Sequence, residues 1–281
     1  MATFTWKSSS GFAWNTWWDF SGLQQSEDPT PAEPKTSTHF SLVVVAEDVR
    51  VEFNGVGFAN YEVDGGPSQG TINRIRVYEQ GAWVADLNGL SIEAATFSNY
   101  VQAGNVSGFL NTVFAGADTF NGNTGADVFF GRAGADTLNG AGGADKLNGE
   151  NGADTLNGGN GNDTLIGGAQ VDTLTGGAGA DKFVLNVAGA ANRDTITDFV
   201  HGTDKVQLEN SVFAALGAAG VLAADKFWVG AGAHDASDRV IYNAATGALF
   251  YDADGNNAGA KVQIATLDAG LTLTNTDFQV I

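Results

Sequence analysis

The sequence predicts an all-β protein in three parts: an N-terminal β-sandwich-like domain over residues 1–112, a right-handed parallel β-roll over residues 113–185, and a C-terminal β-rich flank over residues 186–281. Two observations predict this class. A nine-residue phrase occurs eight times in succession in the middle part, which is typical of stacked structural units. Short runs that alternate apolar and polar residues, separated by turn residues, occupy the parts on either side.

The N-terminal part contains two candidate hairpins. Residues 39–45 and 49–53 form one pair of strand-like runs, and residues 71–78 and 83–87 form the second. Each pair is separated by a short polar or glycine-containing turn, as expected for antiparallel neighbours. We therefore expect a β-rich domain that ends near residue 112.

Three tryptophans are concentrated within five residues of this first part: Trp14, Trp17 and Trp18. Flat aromatic faces bind sugar rings and protein surfaces, so the cluster is a candidate ligand site. Tryptophan is also usually largely buried, so the same cluster can be structural core packed on the sheet. The sequence leaves both interpretations open.

The repeat of residues 113–185 has two fixed side chains in each unit. The eighth place is always Phe or Leu: Phe120, Phe129, Leu138, Leu147, Leu156, Leu165, Leu174 and Phe183. The sixth place is always Asp: Asp118, Asp127, Asp136, Asp145, Asp154, Asp163, Asp172 and Asp181. A flexible linker rich in Gly and Asp is the alternative interpretation, but a linker has no reason to keep an apolar residue in phase.

The spacing predicts how these units stack. The glycine-rich residues turn the chain, and the three residues after each Asp extend with the middle one pointing inward. Two units complete one circuit, which gives two parallel sheets around a thin Leu/Phe core. Aspartates eighteen residues apart then share an edge: Asp136, Asp154 and Asp172 on one side, and Asp127, Asp145, Asp163 and Asp181 on the other. Stacked carboxylates beside turn carbonyls require a cation, and an all-oxygen cage favours Ca²⁺ over Zn²⁺ or Mg²⁺.

The phrase resembles the RTX (repeats-in-toxin) nonapeptide GGxGxDxUx of hemolysin-type calcium-binding proteins. The resemblance implies that each ion lies between neighbouring turns on one edge, and that eight turns hold roughly six ions. It also implies that the ligands are Asp carboxylates and carbonyls of the first turn positions, namely those of Gly131, Ala133, Gly140, Gly142, Gly149, Asn151, Gly158, Asn160, Gly167 and Ala169.

Two units depart from the family pattern. Val113 and Phe114 replace both leading glycines of the first unit, so we expect no ion at Asp118. Gln170 and Val171 replace the glycine and small residue of the seventh unit, which puts the sites that use the turn of Asp172 in doubt.

The composition excludes several classes of function. The formal net charge is −19, from 32 acidic and 13 basic residues, which disfavours nucleic acid or an anionic membrane as the main partner. There is no Cys, so disulfides and thiol chemistry are excluded. Residues 1–10 lack the features of a Sec signal peptide, and no run is long and apolar enough for a membrane span.

The flank resembles the segment that follows the roll in serralysin proteases and other RTX proteins, over residues 192–208. We expect its strands to finish the roll, and Asp194, Asp198 or Asp204 either hold a further ion or are exposed turn carboxylates. Residues 239–243 and 248–252 predict a hairpin. The acidic residue and apolar tail of residues 276–281 resemble an uncleaved type I export signal, which implies a type I secretion machinery as partner and secretion from a Gram-negative bacterium.

Enzyme motifs are weak or absent. The histidines His39, His201 and His234 do not have the HExxH spacing of zinc proteases. Residues 66–70 fit G-x-S-x-G around Ser68 but lack the strand–turn–helix context of a hydrolase. We therefore predict a secreted, calcium-folded, non-enzymatic binding or surface-associated protein, with a glycan or a cell-surface protein as partner. A small secreted hydrolase in residues 1–112 and a calcium-driven self-assembling surface protein are the alternatives.

Overall fold

In the computed structural model, backbone and side chains are described for residues 114–189, 191–256 and 259–281, and the backbone alone for the strands between residues 3 and 93. The described part is almost entirely β. Its helical segments are short 3-10 turns at Ala214–Leu216, Ala224–Lys226 and Asn275–Asp277. None of the described helices could cross a membrane.

The N-terminal strands form one antiparallel sheet and one short pair. They are β1 Thr3–Trp6, β2 Leu23–Ser26, β3 His39–Val44, β4 Val49–Val56, β5 Tyr61–Glu62, β6 Gly66–Pro67, β7 Thr71–Glu79 and β8 Ala82–Glu93. Both candidate hairpins are present, as β3–β4 and β7–β8. The order of the main sheet is β2-β3-β4-β7-β8-β1. The second layer of a sandwich stays a prediction, and the tryptophan cluster and Ser68 lie outside the residues whose side chains are described.

The repeat units form one short strand each, in alternation between two sheets. These strands are β9 Thr119–Asn121, β10 Val128–Ala133, β11 Thr137–Asn139, β12 Lys146–Asn151, β13 Thr155–Asn160, β14 Thr164–Ala169, β15 Thr173–Ala178 and β16 Lys182–Leu185. Sheet A takes the odd-numbered strands and sheet B the even-numbered ones, all parallel. The register pairs residues eighteen apart, as Leu138 with Leu156 and Leu147 with Leu165. The predicted parallel roll is confirmed.

The core of the roll is one side chain thick. All eight Phe and Leu residues of the eighth repeat place have an exposed fraction of 0%. The residues on either side of each point outward, because side chains alternate along a strand. Most units of nine residues therefore bury one large apolar side chain, and only the first and last units bury a second, Phe114 and Val184. The roll needs a further source of cohesion.

The flank continues both sheets of the roll. Its strands are β17 Asp194–Ile196, β18 Lys205–Leu208, β19 Gly220–Val221, β20 Phe227–Val229, β21 Val240–Asn243, β22 Ala248–Tyr251, β23 Val262–Thr266 and β24 Phe278–Val280. Strand β17 pairs with β15, and β18 pairs with β16, so the flank finishes the roll as expected. The predicted hairpin is present as β21–β22. Its thicker core includes Phe213, Tyr242, Leu249 and Phe278, each with an exposed fraction of 0%.

Sheet A also joins the N-terminal strands to the roll. Strand β1 pairs in parallel with β9, with Phe4 opposite Phe120. The boundary near residue 112 therefore separates two segments of the chain whose strands share one sheet.

Candidate metal centre along the two aspartate ladders

The aspartates of the repeat form two ladders, one along each edge of the roll. In each ladder the Oδ1 atom of one Asp accepts a hydrogen bond from the backbone N–H of the Asp eighteen residues earlier. Six such bonds connect Asp118 to Asp136, Asp136 to Asp154 and Asp154 to Asp172 on one edge, and Asp127 to Asp145, Asp145 to Asp163 and Asp163 to Asp181 on the other. Their N···O distances lie between 2.7 and 2.9 Å. The predicted division into two edges is confirmed.

The second carboxylate oxygen of most ladder residues accepts no hydrogen bond from the part of the chain that the structure describes. This Oδ2 atom is buried and accepts no hydrogen bond from the described residues in Asp136, Asp145, Asp154, Asp163, Asp172 and Asp181. The six residues are at most 2% exposed. A buried carboxylate oxygen without a partner is strongly destabilising, so the arrangement indicates a ligand that these oxygens contact.

A glycine backbone lines the space beside each of these oxygens. A Cβ built on Gly149 would lie 2.3 Å from Oδ2 of Asp154 and 2.6 Å from the carbonyl oxygen of Gly167. The same arrangement recurs in four other turns, where the leading glycines are Gly122, Gly131, Gly140 and Gly158. We call this space, lined by the leading glycine, a cradle. Each cradle brings together a carboxylate oxygen of one turn and a carbonyl oxygen of the next turn on that edge. Any side chain would fill the cradle, which explains the leading glycine.

The cradles account for part of the carbonyl ligands that the resemblance implied. They contain the leading carbonyls of Gly140, Gly149, Gly158 and Gly167. The third-place carbonyls of Asn151, Asn160 and Ala169 accept turn hydrogen bonds from Gly134, Gly143 and Gly152, with N···O distances of 2.9, 2.8 and 3.1 Å. A carbonyl has two lone pairs, so this bond leaves one for a cation.

Burial and neighbouring charges change the acidity of the ladder. Burial, with the charges of the adjacent ladder carboxylates, raises the pKa of Asp136 and of Asp145 to about 7. Burial also raises the pKa of Asp154 and of Asp181 to about 6. The ladder therefore resists being charged without a counterion, and a divalent cation between the turns removes this penalty.

The seventh unit keeps its turn despite its departure from the pattern. Gln170 adopts a positive φ of 87°, and Gly134, Gly143, Gly152, Gly161 and Gly179 at the same place also have positive φ values, from 126° to 148°. The carbonyl of Gly167, in the same turn, lies in the cradle of Asp154. The backbone of this turn is therefore kept, and the doubt about the ion sites that use the turn of Asp172 stays a prediction. The three atoms nearest to a Cβ built on Gly167 all belong to Asp172, and those nearest to a Cβ built on Gly176 all belong to Asp181. No carbonyl oxygen of the next turn is among them, so these two turns differ from the five complete cradles.

The flank extends each ladder by one aspartate. Asp194 accepts from the N–H of Asp172 at 3.2 Å, and Asp204 accepts from the N–H of Asp181 at 3.0 Å. Both are buried, so they are not exposed turn carboxylates. Asp198 instead accepts from the N–H groups of Gly176 and Gly177, at 2.9 and 2.7 Å. Whether Asp118 lacks an ion, as its unit predicts, stays a prediction.

A second group of possible ligands was missed by the sequence reasoning. Ligand atoms of His234, Asp235 and Asp238 lie within 4.8 Å of one another. Their spacing within five residues could have identified them. Oδ2 of Asp238 accepts the backbone N–H groups of His234 and Asp235, at 2.5 and 2.9 Å, so this carboxylate already has a structural role in its loop.

The repeat residues match a known family of calcium-binding repeats. The family model of the RTX calcium-binding nonapeptide repeat (4 copies) matches residues 113–147 and again residues 148–183. Among solved structures, the chain is similar to the AlgE6R3 subunit of the mannuronan C5-epimerase from Azotobacter vinelandii, with 23% identity over 58% of this chain and 77% of that chain and a TM-score of 0.26. The search of curated proteins gave no match.

Proposed function

Because residues 113–183 are RTX calcium-binding nonapeptide repeats, we propose that this chain is a secreted protein whose roll folds on calcium and which performs a non-enzymatic binding task outside the cell. One observation carries the calcium-dependent part of the proposal. Six buried ladder aspartates each have an Oδ2 atom that accepts no hydrogen bond from the described residues. A fold that leaves these oxygens unsatisfied requires the cation that its family binds.

The donor atoms fit calcium. Carboxylate and carbonyl oxygens are the ligands that hard cations prefer, and the described ladders offer neither the thiolate nor the imidazole that zinc sites use. Asp127, Asp136, Asp145, Asp154 and Asp163 would hold ions together with the carbonyls of their cradles. When bound, calcium supplies positive charge that offsets the mutual repulsion of the ladder carboxylates. Its binding free energy then becomes part of the folding free energy of the roll.

Folding outside the cell is supported by the position of the C-terminal segment. Strand β24 is the sheet-B neighbour of β18, and its Phe278 and Val280 are buried. Asp277, the acidic residue of the segment that resembles an export signal, is 0% exposed. A secretion machinery could therefore contact this segment only before it is folded, which fits export of an unfolded chain by a type I system and folding where calcium is abundant.

A calcium titration of the full chain tests the proposal. We expect strand content, measured by circular dichroism, to appear cooperatively between roughly 0.1 and 1 mM calcium. Magnesium at the same concentrations should have little effect, because it demands a smaller octahedral site. Equal order in calcium and in chelator would refute the calcium-dependent part of the proposal. Recovery of the chain from the medium of a host with a type I exporter, and its loss on removal of residues 276–281, tests the export part.

A further inference from the structure

The outward faces of the two sheets carry different residues. On sheet A, the outward positions of the roll hold only uncharged polar side chains, namely Thr119, Asn121, Thr137, Asn139, Thr155, Asn157, Thr173, Thr175, Thr195 and Thr197. On sheet B, the same positions on successive strands include Lys146, Lys182 and Lys205, which we call the lysine row. The outward faces of sheet A and sheet B thus differ in charge, although both are built from the same nine-residue repeat.

The lysine row is regular. Lys146 pairs in register with Thr164, Thr164 with Lys182, and Lys182 with Lys205. Neighbouring strands lie about 4.7–4.9 Å apart. Lys182 and Lys205 are therefore one strand spacing apart and Lys146 is two spacings from Lys182, along the axis of the roll.

The lysine row has no partner in the described part of the chain. There, ion pairs join Arg132 to Glu150, His201 to Asp277, and His234 to Asp235, and none includes a lysine of the row. The flank cations Lys226, Arg239 and Lys261 all donate to backbone carbonyls. Like charges directly opposite each other on neighbouring strands are destabilising. The chain has a net charge of −19, yet none of its many acidic residues occupies a position between these lysines in the row. The row is therefore unexplained by the fold itself.

We propose that the lysine row is a docking face for a linear polysaccharide that carries carboxylates, laid along the roll axis. The charge of the row is complementary to such a chain, and its step is similar to the length of one pyranose unit. Glu150, the only acidic residue in the described strands of sheet B, is already paired with Arg132. Partly exposed Ile166 lies beside the row and offers apolar contact to sugar rings. The guanidinium of Arg132 lies over the ring of its partly exposed neighbour Phe130, 5.4 Å from the ring centroid.

Other polyanions fit this face less well. Three cations in a strongly acidic protein are few for DNA, whose binding proteins neutralise many phosphates. Membrane-binding basic clusters typically contain four to eight cations. The flanking ladders also repel an anion until calcium neutralises them, so binding should require the calcium-loaded roll. The inference thus rests on the proposed function and names its ligand class.

Isothermal titration calorimetry of the calcium-loaded full chain with short oligogalacturonides, too short to gel with calcium, tests the inference. We expect binding that weakens with salt, and a loss of about tenfold or more in affinity for the triple variant Lys146→Gln, Lys182→Gln, Lys205→Gln. The matched triple Arg variant keeps the charge and should retain most of the affinity. A neutral oligosaccharide of equal length should not bind.

Several results would overturn the inference: no binding of the oligogalacturonide, equal affinity of the triple Gln variant, or tighter binding of a DNA oligonucleotide or of anionic lipid vesicles. Circular dichroism serves as the control for folding, and all affinities are compared at saturating calcium. The three lysines directly follow Asp145, Asp181 and Asp204, so their replacement by Gln also changes the charge beside the calcium sites. A chain that does not fold on calcium contradicts the proposed function. A chain that folds on calcium but does not bind the oligogalacturonide contradicts only this inference.

Discussion

The ladder carboxylates and the carboxylate of Asp277 are equally hidden from solvent, but their oxygens have different contacts. Asp154 is 2% exposed and Asp277 is 0% exposed. Oδ2 of Asp154 accepts no hydrogen bond from the described residues. Oδ1 of Asp277 accepts from the N–H of Gly202 at 3.0 Å, and its Oδ2 accepts from the N–H of Thr274 at 2.7 Å and contacts Nδ1 of His201 at 2.8 Å.

The acidities of the two kinds of aspartate differ accordingly. Burial raises the pKa of Asp154 to about 6. Burial acts in the same direction on Asp277, but the N–H groups of Thr274 and Gly202 and the ring of His201 together hold the pKa of Asp277 below its ordinary value. Burial of an aspartate therefore does not by itself indicate a metal site. The indication is a buried oxygen that the protein leaves unsatisfied, beside a carbonyl of another turn.

Removing one carboxylate of each kind should separate the two roles. Asp154→Ala deletes a cradle oxygen and the Oδ1 acceptor of the Asp136 N–H, so we expect the calcium midpoint of folding to rise by about tenfold or more. Asp277→Asn should lower the free energy of unfolding by about 1–3 kcal/mol with calcium present, while the calcium midpoint changes little. Circular dichroism during calcium and urea titrations measures both quantities.

The first turn supplies an internal control for Asp154. Asp118→Ala should shift the calcium midpoint less, because Val113 replaces the leading glycine that lines a cradle in the later turns. Equal shifts for Asp118 and Asp154, or an equally large shift for Asp277→Asn, would contradict the distinction between the two kinds of aspartate.

Filling a cradle without touching a carboxylate tests the role of the leading glycine. The Cβ of Gly149→Ala would lie 2.3 Å from Oδ2 of Asp154, so we expect a several-fold rise in the calcium midpoint. Gly116→Ala is the matched control, since a Cβ at Gly116 meets nothing within 4 Å. The idea fails if the two variants titrate alike.

The raised pKa values predict opposite pH dependences with and without calcium. Asp136 and Asp145 have a pKa of about 7 in the folded state, far above the ordinary 3.8. Between these values the folded calcium-free roll binds more protons than the unfolded chain, so its stability is highest at low pH and falls as pH rises through about 6–7. Calcium requires ionised carboxylates, so its affinity should increase over the same interval. Asp277, with a lowered pKa, contributes stability that is lost only as pH falls below the ordinary carboxylate range.

The strand content of the calcium-free chain, measured by circular dichroism, and calcium titrations, both at several values between about pH 5 and 8, measure the two trends. If the calcium-free chain instead becomes more ordered as pH rises, ionisation of the ladder carboxylates does not destabilise the roll. The side chain at position 136 cannot titrate in Asp136→Asn, so the part of the pH dependence of the calcium-free chain that is due to Asp136 should disappear.

The sequence predicted the ladders well because the same chemistry recurs in every unit at one spacing. Asp154 and Asp172 share an edge whatever the details of the turn, since two units complete one circuit. The flank was less predictable, because Asp194 and Asp204 follow the preceding ladder residue by 22 and 23 residues. The contact between His201 and Asp277 joins residues 76 apart, and no local pattern indicates it. Turn strain was also not visible, because the sequence does not show whether the turn changes at Gln170 or keeps the positive φ of 87° that this residue has.

That conformation yields the smallest predicted effect. Gln170 has a φ of 87°, where a side chain is unfavourable and most other units have Gly. We expect Gln170→Gly to raise the free energy of unfolding of the calcium-loaded roll by about 1 kcal/mol, because it relieves this strain. Ala178→Gly lies in β15, where no positive φ occurs at that residue, and should instead lower it by about 0.5–1 kcal/mol. Urea unfolding in saturating calcium measures both, and a loss of stability in Gln170→Gly would show that the Gln side chain itself contributes to the turn.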